Sequence, residues 1–190
     1  MDPFLVAVTE LVFMKPKSLF TSPDAVLYHP GHFPELNRQL VDALRDKTFR
    51  YVLIPSIHNR FLDADEYEFH KPLLVELGLP ENKIRPVTGE FQSVRGVVKQ
   101  AFIWLQTQPV TNVLLAGKAF FCRRFHLLSS LYAPAGMKLD VLPLHDHRNI
   151  SENRWFETET GRHKVMNELQ SISEWIQENK DRMEQGRNRT

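Results

Sequence analysis

Two uninterrupted apolar runs, Tyr51-Val52-Leu53-Ile54 and Val113-Leu114-Leu115-Ala116, constrain this chain more than any other feature. A strand with one wet face alternates polar and apolar residues, whereas a continuous run needs apolar cover on both faces. Short β-rich runs at 25–28, 51–54, 83–87, 113–116 and 139–144 alternate with stretches of helical period. Leu36, Leu40, Val41 and Leu44 share one helical face, as do Phe121, Phe125, Leu128 and Leu131, and later Val165, Leu169, Ile172 and Ile176. Such alternation predicts an α/β fold, a Rossmann-like three-layer sandwich around a five-stranded parallel sheet in the order 3-2-1-4-5. Pro86 interrupts the third run and places it at or near an edge.

At 190 residues the chain suits one domain, expected over 21–180, with an amphipathic segment at 1–20 and a flexible tail at 181–190. The apolar stretch between Phe4 and Met14 is too short for a bilayer span, which needs about 20 residues. Leu5, Val8, Leu11 and Val12 recur at helical spacing, so the segment is expected to pack on the body. The balance of 24 Lys plus Arg against 23 Asp plus Glu argues against a nucleic-acid binder by bulk charge. A lone cysteine, Cys122, cannot make an internal disulfide and suits a reducing cytosol, so a cytoplasmic location is expected.

Ligands of open parallel sheets sit beyond the carboxyl ends of the strands. There the sequence puts His29, Gly31 and His32, then Ser56, His58, Asn59 and Arg60, then Gly117, Lys118, Arg123 and Arg124, and last His145 through Arg148. Gly117-Lys118, after a buried strand and before a helix, suits an anion cradle: glycine admits close backbone approach and lysine adds a charge. Glu66 opens a helix at the same edge and aims into the cleft. Adjacent arginines could favour a thiolate on Cys122, although packing is the ordinary fate of a free cysteine. No Walker loop and no Gly-x-Gly-x-x-Gly is present, which argues against a P-loop ATPase and a standard dinucleotide site. His29, His32, His145 and His147 are metal-ligand types, but without a Cys/His framework no metal is assigned.

These residues resemble the YdcF-like family, which includes SanA and ElyC, over about 24–176. The carriers are Asp24-Ala25-Val26-Leu27-Tyr28 with Gly31, Asp65-Glu66-Tyr67, Glu76-Leu77-Gly78-Leu79-Pro80 with Lys83-Ile84, Val113-Leu114-Leu115 through Arg124, and the stretch from Trp155 to Leu169. The resemblance implies a Rossmann-like domain and, for one branch, binding of S-adenosylmethionine. Two family motifs are altered here. Glu90-Phe91-Gln92-Ser93-Val94-Arg95-Gly96 keeps only the Ser93 hydroxyl of a Ser-x-x-Thr-x-x-Asn pattern, and Phe121-Cys122-Arg123-Arg124 keeps an arginine but loses the histidine of His-x-x-Arg.

The expected function is binding of a small anionic or nucleotide-like ligand, with S-adenosylmethionine included and the reaction, transferase or hydrolase, unspecified. The ligand contacts expected are His29, Gly31, Asn59, Glu66, Ser93, Gly117, Lys118, Arg123, Arg124 and His145. A non-catalytic module in cell-envelope physiology is the alternative, and a metal-dependent hydrolase the third reading.

Overall fold

Successive strand residues point to opposite faces of a sheet, and this alternation divides the core into two halves. The computed structural model describes residues 2–91 and 93–181. The chain runs through α1 (Pro3–Val12), β1 (Ala25–His29), α2 (Glu35–Leu44) and β2 (Tyr51–Pro55) to a small antiparallel hairpin, β3 (His58–Asn59) with β4 (Ala64–Asp65). It continues through α3 (Glu66–Glu76), β5 (Ile84–Val87), α4 (Val94–Leu105), β6 (Asn112–Lys118) and α5 (Cys122–Tyr132), then β7 (Lys138–Leu144) and α6 (Glu159–Glu178). The main sheet is all parallel in the order β5-β2-β1-β6-β7, which is the 3-2-1-4-5 order of a Rossmann-like three-layer fold.

Ala25 and Leu27 of β1, Leu53 of β2, and Val113 and Leu115 of β6 belong to one core, beneath α1, α4, α5 and α6. Their neighbours Val26, Tyr28, Val52, Ile54, Leu114 and Ala116 belong to the other, beneath α2 and α3. Both faces of β1, β2 and β6 are therefore dry, as the continuous runs require. A fully buried Leu, Ile or Val contributes about 1.5–3 kcal/mol relative to an exposed one. Pro86, which has no N–H to give a further neighbour, sits in edge strand β5.

Helix α1 starts at the Asp2 cap with Pro3 in its first turn, and Val8, Thr9 and Val12 are its buried residues. The indole N–H of Trp155 donates to Thr9 Oγ1 at 2.8 Å, and the Arg123 guanidinium donates to the carbonyls of Glu10 and Phe13. Leu11, expected on the buried face, is 60% exposed because these ties rotate Leu5, Val8, Thr9 and Val12 inward. After α1, buried Asp140 accepts from the backbone N–H groups of Lys17 and Leu19 and holds the connection to β1 against β7. No helix among the described residues is long and apolar enough to cross a membrane. Of the expected tail, residues 182–190 lie outside the described residues.

Candidate functional site

Sheet register builds the site. β1 and β6 pair so that His29 lies opposite Gly117, which brings Pro30-Gly31 and Lys118 off the sheet side by side. Lys118 shares strand parity with Leu114 and Ala116, so it leans toward the α2 and α3 face. Gly31 has φ +63°, and a Cβ there would lie 2.9 Å from Lys118 Nζ. Glycine at this position thus serves both the turn and the ammonium packed on it. Behind the turn, His70 is fully buried: Nε2 donates to the Gly31 carbonyl oxygen at 2.8 Å, and Nδ1 lies 3.1 Å from the Asn37 side-chain amide, which also pairs with the Tyr28 hydroxyl. Burial lowers His70 to about 4, so the ring is neutral at physiological pH.

Lys118 is the charge around which the site is organised. Among the described residues, its Nζ has no hydrogen bond or ion pair within contact distance, and its neighbour is the Phe33 ring, 5.0 Å from ammonium to centroid. Burial lowers its pKa from 10.5 to about 8; Glu66, Asp146 and Glu168 pull it back up, and Arg148 pushes it further down. Glu66 is 4% exposed. Its Oε1 accepts from the Asn59 amide at 2.7 Å, while Oε2 meets no hydrogen-bond partner within contact distance among the described residues. Burial raises the Glu66 pKa, against the opposing influence of Asn59 and Lys118.

Two adjoining chambers meet at a shared wall of His29, His32, Val94 and Lys118. The first, about 330 Å³, is cationic, with Arg124, Arg148 and Lys164 facing it. Arg124 is held by Glu168 through a two-pronged pair of 2.7 and 2.8 Å and lies over the Phe121 ring. Arg148 is held by Asp146 and stacks on Phe33. The second, about 370 Å³, holds Gly31, Asn59, Glu66 and Ser93 together with the rings of Phe61 and Phe91. His32 bridges the aromatic rim, 4.0 Å from the Phe33 centroid and 4.6 Å from that of Phe61.

Seven of the ten expected contacts, His29, Gly31, Asn59, Glu66, Ser93, Lys118 and Arg124, border this pair of chambers. The other three do not. Space over Gly117 is filled by Phe121 and Phe125, 3.3 and 3.6 Å from where a Cβ would stand, so the glycine admits aromatic rings rather than a ligand. Arg123 is spent on α1, as described. His145 exchanges backbone hydrogen bonds with the Gln39 side chain and borders a separate cavity beneath the connection after α1. Cys122 is fully buried, its thiol donates to the Gly117 carbonyl, and burial raises it to about 12; the idea of an arginine-stabilised thiolate is therefore overturned.

His29 packs against Phe121 and Phe125, and burial, reinforced by Lys118, lowers it to about 3. It is a neutral wall residue at physiological pH. His147 pairs with Glu35 on the surface instead of joining His29. Among the described residues, no group of three or more His, Cys, Asp or Glu side chains is arranged to hold a metal ion.

The sequence places Arg148 at the right edge without marking it as a contact, and Lys164 and Glu168, inside the Trp155-to-Leu169 stretch, are not marked as contacts either. A signal for Glu168 exists: it stands three residues after Val165, inside the apolar stripe of α6, where an acid needs a buried partner. Phe61 and Phe91 carried no signal, because loop aromatics have no periodicity to read. Comparison of the chain with protein-family models, with curated proteins and with solved structures finds no match in any of the three.

Proposed function

We propose that the paired chambers bind a small anionic ligand of nucleotide-like or phosphorylated type, with Lys118 as its principal cation. The observation that carries this reading is a half-buried ammonium with no hydrogen-bond acceptor among the described residues, facing two cavities. A charge partly withdrawn from water gains from a partner, and an anion in the first chamber would pair it. Arg124 and Arg148 are already neutralised by Glu168 and Asp146, so they orient an anion through donors left free and supply little net charge. The aromatic rings on the second chamber, Phe61 and Phe91, suit contact with a planar base.

S-adenosylmethionine, the ligand implied by the YdcF-like resemblance, is the second reading. The second chamber favours it, because Glu66 and the ring faces there complement a sulfonium. The unpaired Lys118 ammonium, which borders both chambers, opposes it. A thermal-shift comparison of AMP, sugar phosphates, inorganic phosphate and S-adenosylmethionine decides between them. A ligand at a hundred times its Kd stabilises the native state by about 2.7 kcal/mol. The phosphorylated ligands should raise the melting temperature, and a rise with S-adenosylmethionine alone would select the second reading. Silence from all of them would remove both.

A further inference from the structure

The amine of Lys118 does not need to act as a charge alone. It stands at the junction of two chambers, against Gly31, where nothing but hydrogen occupies the Cβ position, and no described carboxylate holds it in an ion pair. We propose that Lys118 is a covalent site, where Nζ condenses with the carbonyl of a small aldehyde or ketone whose anionic group rests among the basic side chains of the first chamber. The orientation of that substrate rests on the anion-binding reading of the same cleft; the condensation does not.

The chemistry balances without an oxidant, reductant or metal. The Nζ lone pair forms a bond to the carbonyl carbon, the C=O π pair moves to oxygen, and a proton passes from nitrogen to oxygen. The resulting carbinolamine takes a further proton on its hydroxyl and expels water, while the nitrogen lone pair closes the C=N bond. Loss of a proton from nitrogen or its retention gives the imine or the iminium. The proton donor assigned to this step is Glu66, which borders the second chamber with Gly31 and Lys118 and whose pKa is raised by burial. Once ionised, it would face the iminium charge.

The electrostatic surroundings suit an amine nucleophile. The groups that act on Lys118 are Glu66 from α3, Asp146 and Arg148 from the loop after β7, and Glu168 from α6. Burial lowers the imidazoles of His29, His32 and His70, and Lys118 lowers them further. With its pKa at about 8 against 10.5 for an ordinary lysine, Lys118 holds about two hundredfold more neutral amine at about pH 7.5.

The test is reductive trapping on the wild-type protein. Glyceraldehyde 3-phosphate and sodium cyanoborohydride are added, the protein is digested, and each lysine is quantified by peptide mass spectrometry. The expected result is an adduct on Lys118 exceeding that on every other lysine, suppressed by inorganic phosphate and rising with pH through a midpoint near 8. Adduct spread over surface lysines without enrichment at Lys118 would overturn the proposal, as would a Lys118 midpoint near 10.5. A phosphate-induced melting shift without Lys118 trapping would sink the imine and leave anion binding standing. Equal labelling of Lys118 by glyceraldehyde and by its phosphate would keep the imine and remove the anion reading.

Discussion

Replacing Lys118 with methionine should stabilise the unliganded protein, because the wild-type chain partly desolvates a cation that has no hydrogen-bond or ion-pair partner among the described residues. The fall in pKa from 10.5 to about 8 corresponds to about 3 kcal/mol charged against the ammonium in the folded state. Water reaching the chambers reduces this figure, so a gain of about 1–3 kcal/mol is expected at neutral pH. For a chain of this size each kcal/mol is worth about 2–4 °C in melting temperature. Methionine fills the space of the lysine stem over Phe33, and loss of the ammonium removes one of the influences that hold the Glu66 pKa down against its burial. The pH dependence supplies the sharper check. The folded pKa lies below the unfolded one, so the penalty is complete below about 8 and fades between 8 and 10.5, and the gap between variant and wild type should close over that window. Urea unfolding of both proteins from neutral to alkaline pH measures it. A methionine variant that is less stable than wild type, with a difference indifferent to pH, would refute the reasoning and make Lys118 a satisfied structural residue.

Four further outcomes follow from the same geometry. Acidification should destabilise the fold early, since His29 and His70 have pKa values of about 3 and 4 against 6.5 when unfolded; near pH 5 each ring costs about 2 kcal/mol, partly offset by protonation of Glu66, and urea midpoints across pH 4–7 read it. Arg124→Met should lose about 3 kcal/mol by leaving Glu168 buried and unpaired, and adding Glu168→Leu should restore most of it in thermal melts. Gly161→Ala should destabilise by more than 1 kcal/mol, because its Cβ would collide with the Trp155 carbonyl oxygen; a melting temperature equal to wild type would contradict that placement. Thr9→Val should cost about 1–3 kcal/mol by stranding the Trp155 indole N–H, and tryptophan fluorescence during unfolding would follow the release of α1.

Sequence carried the sheet because the burial of its central strands is written in composition. Val52 to Ile54 and Val113 to Ala116 need cover on both faces whatever the helices do, and Pro86 marks an edge through its missing N–H. The hairpin of β3 and β4 was illegible, since strands of two residues contain no period. Adjacent arginines show the same limit in the site. Arg123 and Arg124 stand about 100° apart around α5, so one reaches the carbonyls of α1 and the other Glu168, and no local pattern distinguishes them. Gly117 loses its expected contact and Gly31 keeps its place for a tertiary reason: Phe121 and Phe125 fold back over the first, while Lys118 settles on the second.

The central claim, an anion site organised by Lys118, is tested most directly by isothermal titration of AMP and inorganic phosphate into wild type and Lys118→Met at neutral pH. Loss of a charge-assisted contact costs about 1.5–3 kcal/mol, so the account predicts at least roughly tenfold weaker binding by a variant that is no less stable than wild type. Equal affinity in the two proteins would contradict it.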